Sequence, residues 1–455
     1  MSFIKSLIPD AVLKFIRPFY HGLLAMAASF YFGRPSEKLI VIGVTGTAGK
    51  STTVAMLAHI LNADGKKCGY ITTVNFFDGN LDYLNKHGLS MPGGWLLQKQ
   101  LAKMAANDCR YAIIECTSEG LEQNRHLGVN FDMAVFTNLS RAHLEAHGSF
   151  GNYQQAKGKL FKTISAGGGS AFGGNNLRLT INKLKINPGI KKTIGVNLDD
   201  PMAGYFLSFP AEQKFGVSFK RIKISDVSRI YQATAKKTSL PMEFTVDDIN
   251  FSLDALGEFN IKNAALAAAG ASMLGVPLEK CASSLKSFNG VRGRMESVPN
   301  NRGLKIIVDY GCEPESFRAA LESAAQLPHN RLIHIFGSTG GHRDTAKRFE
   351  FGKTSAQFAD YIIVTNDDIY DSDPQEIASN IESGIRKFEL RKPKYEIILD
   401  RKMAIAKALS IAEKDDLILI TGKGSEQFLV LPRNKRIEWD EVNVVRQELQ
   451  KVRNS

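Results

Sequence analysis

Residues Val41–Thr53 read V-I-G-V-T-G-T-A-G-K-S-T-T. Glycines at 43, 46 and 49 let a backbone curl until its N–H groups face an anion. Lys50 adds a point charge for a β- or γ-phosphate, and Ser51 a hydroxyl for Mg2+. A helix expected over Ser51–Leu61 turns its positive end to the same place. The usual spacing of such loops puts a glycine at 44, where Val44 stands. A glycine-rich loop alone is a weak signal. Here it follows Leu39–Val44, an apolar run fit for a buried parallel strand, and it opens a helix. That context predicts an ATP or GTP site.

Other runs hold residues fit for chemistry. E-C-T-S-E-G-L, at Glu115–Leu121, ends an apolar strand with a carboxylate that can bind Mg2+, or else is a solvated strand end. F-T-N-L-S-R-A-H-L-E-A-H-G, at Phe136–Gly148, offers His143 and His147. Y-Q-Q-A-K-G-K-L-F, at Tyr153–Phe161, carries Lys157 and Lys159, which by themselves read as a solvated helix face.

Together these runs resemble the Mur ligase family, the ATP-dependent amide-forming enzymes of peptidoglycan precursor synthesis. That family's loop, G-x-T-G-T-x-G-K-[ST], is matched at Gly43, Thr45, Gly46, Thr47, Gly49, Lys50 and Ser51, which accounts for the spacing. The branch most resembled is MurE-like and adds the third residue to a UDP-N-acetylmuramoyl dipeptide. The resemblance runs from about Lys38 to the C-terminus. It implies Gly46, Thr47, Gly49, Lys50, Ser51 and Thr52 around the phosphates of ATP. Asn260 and Asn263 of G-E-F-N-I-K-N are then expected at the adenine side. Arg294 of G-R-M-E and Asp309 of V-D-Y are expected near ribose or phosphate. Ser51, Glu115, His143 and Lys157 are the implied ligands of two Mg2+ ions, with Lys157 carried as a carbamate and His147 structural. Lys50, Lys157, His143 and Glu115 form the implied catalytic group. Substrate contacts are expected at Ser90, Asp367, Asp368, Tyr370, Gly422 and Glu426. Phe336–Arg348 and Thr421–Glu426 resemble loops that close on the substrates.

Several positions depart from the family pattern. Ala48 replaces a common asparagine, and Glu119 and Cys312 stand where histidines are frequent. Ala142 and His342 replace aspartates, and Ser425 replaces the histidine of G-K-G-H-E. The principal charges survive, so an active enzyme is expected. Members that add meso-diaminopimelate carry D-N-P-R. Here the aligned stretch is D-D-I-Y, and Tyr370 takes the arginine place. Asp367 and Asp368 would then favour a cationic amine such as lysine, unless both are solvated loop acids. Fewer than 45 residues precede the loop, where the family usually has a UDP-holding domain. Either UDP is held differently or the acceptor is not a UDP-sugar. N-L-D-D at Asn197–Asp200 falls late, so the glycine-rich Ala166–Asn176 reads as an inserted surface loop.

The elements that must position these residues alternate. Strands at Tyr111–Glu115 and Met133–Thr137, with a helix at Gly94–Ala106, imply an α/β fold with a mostly parallel sheet. Phe215–Leu253 suggests an antiparallel patch, and Glu258–Leu274 an alanine-rich helix. A second series has strands at Lys305–Asp309, Leu332–Phe336, Tyr361–Thr365 and Leu417–Thr421. The expected plan is a phosphate-loop central domain at 37–298 and a Rossmann-like C-terminal α/β domain at 299–455. The polar turn at Val298–Gly303 marks the border. Residues 1–36 form an N-terminal apolar helical segment. Its uncharged part, Gly22–Phe32, is too short to span a bilayer. It should pack on the next domain, or else contact a membrane surface through residues 12–33.

A chain of 455 residues is too long for one core. Its net charge of +12 favours acidic partners, with a general solubility role equally open. No aromatic-interleaved basic patch is present, so nucleic acid is not an expected partner. Five scattered cysteines without C-x-x-C argue against a zinc site or disulfides and fit a reducing cytoplasm. The expectation is a monomer acting on small molecules. ATP would phosphorylate an acceptor carboxylate, and an amine would displace phosphate from the acyl phosphate to form an amide. A MurT-like or folylpolyglutamate-synthase-like ligase is the alternative, or a nucleotide-binding scaffold protein without ligation.

Overall fold

The computed structural model describes residues 10–140, 144–165, 190–222, 224–341, 345–388, 390 and 392–452. The chain divides into two compact units. The first gathers Met1–Lys236, Glu243–Leu253 and Ile261–Phe288, and the second Lys237–Met242, Asp254–Asn260 and Asn289–Ser455. The polar turn at 298–303 therefore lies inside the second unit.

The first unit is built on β1 (Ile40–Thr45), β2 (Cys68–Ile71), β3 (Asn75–Phe77), β4 (Asp82–Leu84), β5 (Tyr111–Glu115) and β6 (Phe131–Phe136). It continues with β7 (Thr193–Asn197), β8 (Gln213–Ser218), β9 (Arg229–Lys237), β10 (Met242–Val246) and β11 (Ile249–Leu253). The sheet order is β11-β10-β9-β8-β7-β6-β1-β5-β2-β3-β4. From β2 to β9 every neighbouring pair is parallel. β8 was expected in an antiparallel patch, but it pairs in parallel with both neighbours. At the opposite edge β2, β3 and β4 form an antiparallel meander. β1, β5 and β6 are buried along their whole length. This is why they read as mainly apolar runs rather than alternating ones, with Asp132 of β6 and Glu115 at the end of β5 as the charged exceptions.

Gly43 lies within β1, opposite Ile114 and Ala134. A Cβ there would stand 2.6 Å from Leu160. This glycine thus admits the helix Phe150–Ser165 against the strand and belongs to the core, not to the phosphate-facing curl expected of it. The buried Asp132 of β6 takes the amide of Val41 at 3.0 Å and an ion pair from Lys192 at 3.0 Å.

The helix Asp10–Tyr31 packs on the first unit through small residues. A Cβ at Gly94 would meet the Cβ of Ala25 at 2.3 Å. The Ser29 hydroxyl donates to the carbonyl of Gly128 at 3.0 Å. Among the described residues no helix is long and apolar enough to cross a membrane. The predicted inserted loop at 166–176 lies outside the described residues.

The second unit carries β12 (Glu296–Ser297), β13 (Lys305–Val308), β14 (Leu332–Phe336), β15 (Tyr361–Val364), β16 (Lys394–Ile397) and β17 (Leu417–Ile420), in the order β12-β13-β17-β14-β15-β16. All pairs are parallel except β12 with β13. Buried His334 of β14 bonds Ser355 Oγ at 2.8 Å and Thr421 Oγ1 at 3.0 Å. Arg401 is fully buried, and its guanidinium grips Glu441 of the last helix, with Nη2 at 2.8 Å from the carboxylate. It also donates to the carbonyls of Asn366 and Thr421 at 3.0 and 2.9 Å.

Candidate active site

The phosphate loop leaves β1 at Thr45, whose hydroxyl is anchored on the carbonyl of Cys116 at 2.8 Å. Gly46 and Gly49 have φ of +155° and +78°. Side chains could not follow. A Cβ at 46 would stand 1.9 Å from Thr137 Oγ1, and one at 49 would stand 2.3 Å from Asn263 Oδ1. The loop is held open by the strand-end segment Thr137–Ser140. Thr47 N donates to the Asn138 carbonyl at 2.8 Å, and Ala48 N to Asn138 Oδ1 at 2.9 Å. Thr47 Oγ1 accepts from Ser140 N at 3.0 Å and lies 3.1 Å from the Tyr153 hydroxyl. That segment is braced in turn by N-L-D-D. Asn197 donates to the Thr137 carbonyl at 2.8 Å, and Asp200 accepts from Leu139 N at 2.9 Å.

The helix Lys50–Ala63 begins at the loop. Lys50 Nζ reaches back to the carbonyl of Thr47 at 2.9 Å, so the ammonium lies over the loop. Ser51 Oγ donates to Glu115 Oε2 at 2.8 Å. Glu115 is buried at the end of β5 and also accepts from Thr73 N and Thr73 Oγ1, both at 2.9 Å. Thr52 is buried beside Ser51.

Lys157 differs from the solvated lysine its sequence suggests. It is 1% exposed, and its Nζ donates to the carbonyl of Gly46 at 2.7 Å and lies over the Tyr153 ring. Burial, and then the nearby Lys50 charge, hold its ammonium well below the usual lysine range, against the pull of Glu115. Lys159 points outward to Glu122, 3.2 Å away. His143 lies outside the described residues. His147 is buried, with its Nε2 3.0 Å from Ser118 Oγ.

Asn263 was expected at the adenine side. Its amide oxygen sits against Gly49 and 3.5 Å from Thr53 Oγ1, at the loop end of the helix. Asn260 is buried, with its amide donating to Leu256 O at 2.7 Å. Ser90 is half-buried next to Met91, whose carbonyl takes Arg125 Nη1 at 2.7 Å.

The second unit carries its own polar group. Arg294 stacks on Tyr310 at 4.1 Å, and its buried Nε has no hydrogen-bond partner among the described residues. Asp309 accepts from Gly311 N at 2.7 Å and Met295 N at 2.9 Å. Burial pushes its carboxyl up, while those amides and Arg294 pull it back. Tyr370 is half-buried with a left-handed φ of +49°. At Gly422 a Cβ would meet Asp367 Oδ2 at 2.6 Å.

Asp367 and Asp368 are not free to recruit a cationic substrate. Both are buried around Lys423, at 3.8 and 2.8 Å from its Nζ, and Glu426 completes the ring. Burial opposes the Lys423 charge, but the three carboxylates hold it above the usual lysine range. The argument for a lysine substrate loses its premise: the chain supplies the cation itself. Sequence reasoning passed over Thr73, Asn138 and Lys423. Asn138 and Lys423 stood inside the quoted motifs, whereas Thr73 gave no local signal.

A strand, an anion-cradling loop and a helix, with a hydroxyl and a carboxylate oxygen converging below them, define a nucleotide-dependent phosphoryl-transfer enzyme. Comparison with known proteins specifies the family. Residues 44–271 match the Mur ligase middle domain, and 293–424 match the domain described as Mur ligase, glutamate ligase domain. The chain is 32% identical over 430 residues to a protein of Clostridioides difficile (strain 630) named UDP-N-acetylmuramoyl-L-alanyl-D-glutamate–2,6-diaminopimelate ligase, covering 94% of this chain and 82% of that one. It is 32% identical over 433 residues to the UDP-N-acetylmuramyl-tripeptide synthetase of Roseiflexus sp. (strain RS-1), with the same coverage. A solved MurF ligase of Thermotoga maritima in complex with ADP shares the fold, with a TM-score of 0.62 at 18% identity, over 96% of this chain and 84% of that one. The chain belongs to the Mur ligase family.

Proposed function

We propose that this protein joins an amine to the terminal carboxylate of a muramoyl-peptide acceptor, using ATP. The observation that carries this reading is the meeting of Lys50, Ser51, Glu115 and Lys157 around one phosphate loop. The loop amides and Lys50 hold the nucleotide phosphates and neutralise charge as the terminal phosphoryl group passes to the acceptor carboxylate. The amine then attacks the acyl carbon, the C–O bond to phosphate breaks, and the amine's proton leaves to solvent.

Ser51 and Glu115 offer a hydroxyl and a carboxylate oxygen 2.8 Å apart, a donor set that fits Mg2+. Bound there, the ion supplies charge neutralisation on the phosphates. Lys157 fits the role of a second ligand only when its charge is reversed. A neutral amine can attack CO2 to form a C–N bond, lose a proton and become a carbamate. The depressed ammonium of Lys157 favours that first requirement. His143 is the further ligand implied by the family pattern.

The test is incubation with ATP, candidate UDP-muramoyl peptides and an amino-acid panel, reading product masses and ADP. A product heavier by one amino-acid residue, with ADP release that depends on the amino acid, is expected. ATP hydrolysis indifferent to every acceptor and amine would overturn the reading and favour a nucleotide-binding scaffold.

A further inference from the structure

The helix Asp10–Tyr31 has a second face that its packing does not use. Its buried side is made of small residues: Gly22, Ala25, Ala28 and Ser29. Its outer side carries Ile16, Tyr20, Leu23, Phe30 and Tyr31, and Trp95 of the neighbouring helix stands beside them. These six are between 40 and 73% exposed. Ile16, Tyr20, Leu23 and Phe30 recur at three-, four- and seven-residue steps and Tyr31 adjoins Phe30, so they form one stripe along an axis of about 22 Å. Large apolar side chains so aligned are more than scattered surface residues.

The end of the stripe is aromatic. Tyr31 and Phe32 lie against Trp95, with ring centres 5.1 and 5.4 Å apart. Tyr and Trp join an apolar body to a polar tip, the residue type enriched where hydrocarbon meets water. The charges carried by the helix segment beside the stripe have one sign. Arg17 is exposed at its margin, and Arg34 follows the helix with its guanidinium over Phe30 at 4.6 Å. Lys99, one turn beyond Trp95, is exposed as well. No Asp or Glu occurs between Ala11 and Ser36.

We propose that this face docks the protein on the surface of an anionic lipid bilayer, with the helix lying in the headgroup region. The helix does not span, since no described helix is long and apolar enough to cross. The charge pattern selects this occupant over a second copy of the chain. Two such faces would set Arg17, Arg34 and Lys99 against their own equivalents, whereas lipid phosphate complements all of them.

The experiment is flotation of the full chain with vesicles of phosphatidylcholine, with and without phosphatidylglycerol. Binding is expected only where phosphatidylglycerol is present. Leu23→Glu with Phe30→Glu should reduce it at least about tenfold while ATP binding is kept. If that variant misfolds, Arg17→Gln with Lys99→Gln, at exposed positions, should weaken binding and its salt dependence. Failure of the wild type to float with anionic vesicles overturns the proposal. So does binding that survives both pairs of substitutions. A dimer that Leu23→Glu with Phe30→Glu dissociates, without vesicle binding, assigns the face to a second copy instead and overturns it too.

Discussion

The amine of Lys157 touches the phosphate loop: its Nζ lies 2.7 Å from the carbonyl oxygen of Gly46, 111 positions earlier in the chain. Two cations therefore flank one short loop, Lys50 over it and Lys157 beneath it. The buried one is the cheaper to neutralise, because burial and its neighbour's charge both disfavour its proton.

Carbamylation of Lys157 makes a direct expectation. Activity should fall in CO2-depleted buffer and return with bicarbonate. Lys157→Ala should lose at least about a hundredfold in turnover and recover part of it with a small carboxylate. Lys159→Ala, whose side chain faces Glu122, should change little. Full activity of Lys157→Ala in a steady-state assay would end the proposed role.

Lys50→Ala should lower ATP turnover about a thousandfold and leave the fold intact. The side chain is half-exposed and its ammonium reaches a loop carbonyl, so little packing is lost. Circular dichroism and turnover together check this. Near-normal turnover contradicts the assignment of the loop.

meso-Diaminopimelate should not be the preferred amine, although some relatives are named for it. Its distal carboxylate needs a bidentate cation, and Tyr370 offers none. Lys423 cannot substitute, since three acids already surround it. A competition assay by product mass decides the matter, and diaminopimelate incorporated ahead of other amines refutes the expectation.

The second unit should weaken in acid through His334. Burial lowers its pKa from 6.5 to about 3, aided by Arg401, so the folded ring refuses a proton that the unfolded ring accepts. Stability is complete above pH 6.5 and declines as pH falls toward 3, on the order of 1.4 kcal/mol per unit. Urea midpoints at pH 7 and 4.5 should differ less in His334→Gln than in the wild type. An unchanged difference would show that other groups set the acid limit.

Much of the fold was legible because its strands are buried on both faces. Tyr111–Glu115 and Leu332–Phe336 are mainly apolar runs, broken only by Glu115 and His334, with matching strand bounds, and Gly94–Ala106 matches as a helix. What stayed hidden depends on distant partners. Nothing near Asp368 announces Lys423, 55 positions away, so a buried ion cluster read as a free acidic loop. Gly43 looked like a member of the phosphate loop because Leu160, which needs its missing side chain, arrives from a separate helix. β8 lacks a local cue to strand direction, which is set by its neighbours β7 and β9.

The grip of Arg401 on Glu441 bears on how incomplete chains fare. Glu441 opens the helix Glu441–Val452, 40 positions after Arg401, so it leaves the ribosome later than its partner. Until it arrives, Arg401 has its backbone acceptors and the charges of Asp367 and Asp368, which already engage Lys423, but lacks the carboxylate that grips its guanidinium. Removing one partner of a buried ion pair in this way costs about 3–5 kcal/mol. A chain cut short before residue 441 would carry that defect at the centre of its second unit. Such a product would advertise its own incompleteness to proteases, so shortened copies would be cleared rather than compete with the intact enzyme for nucleotide.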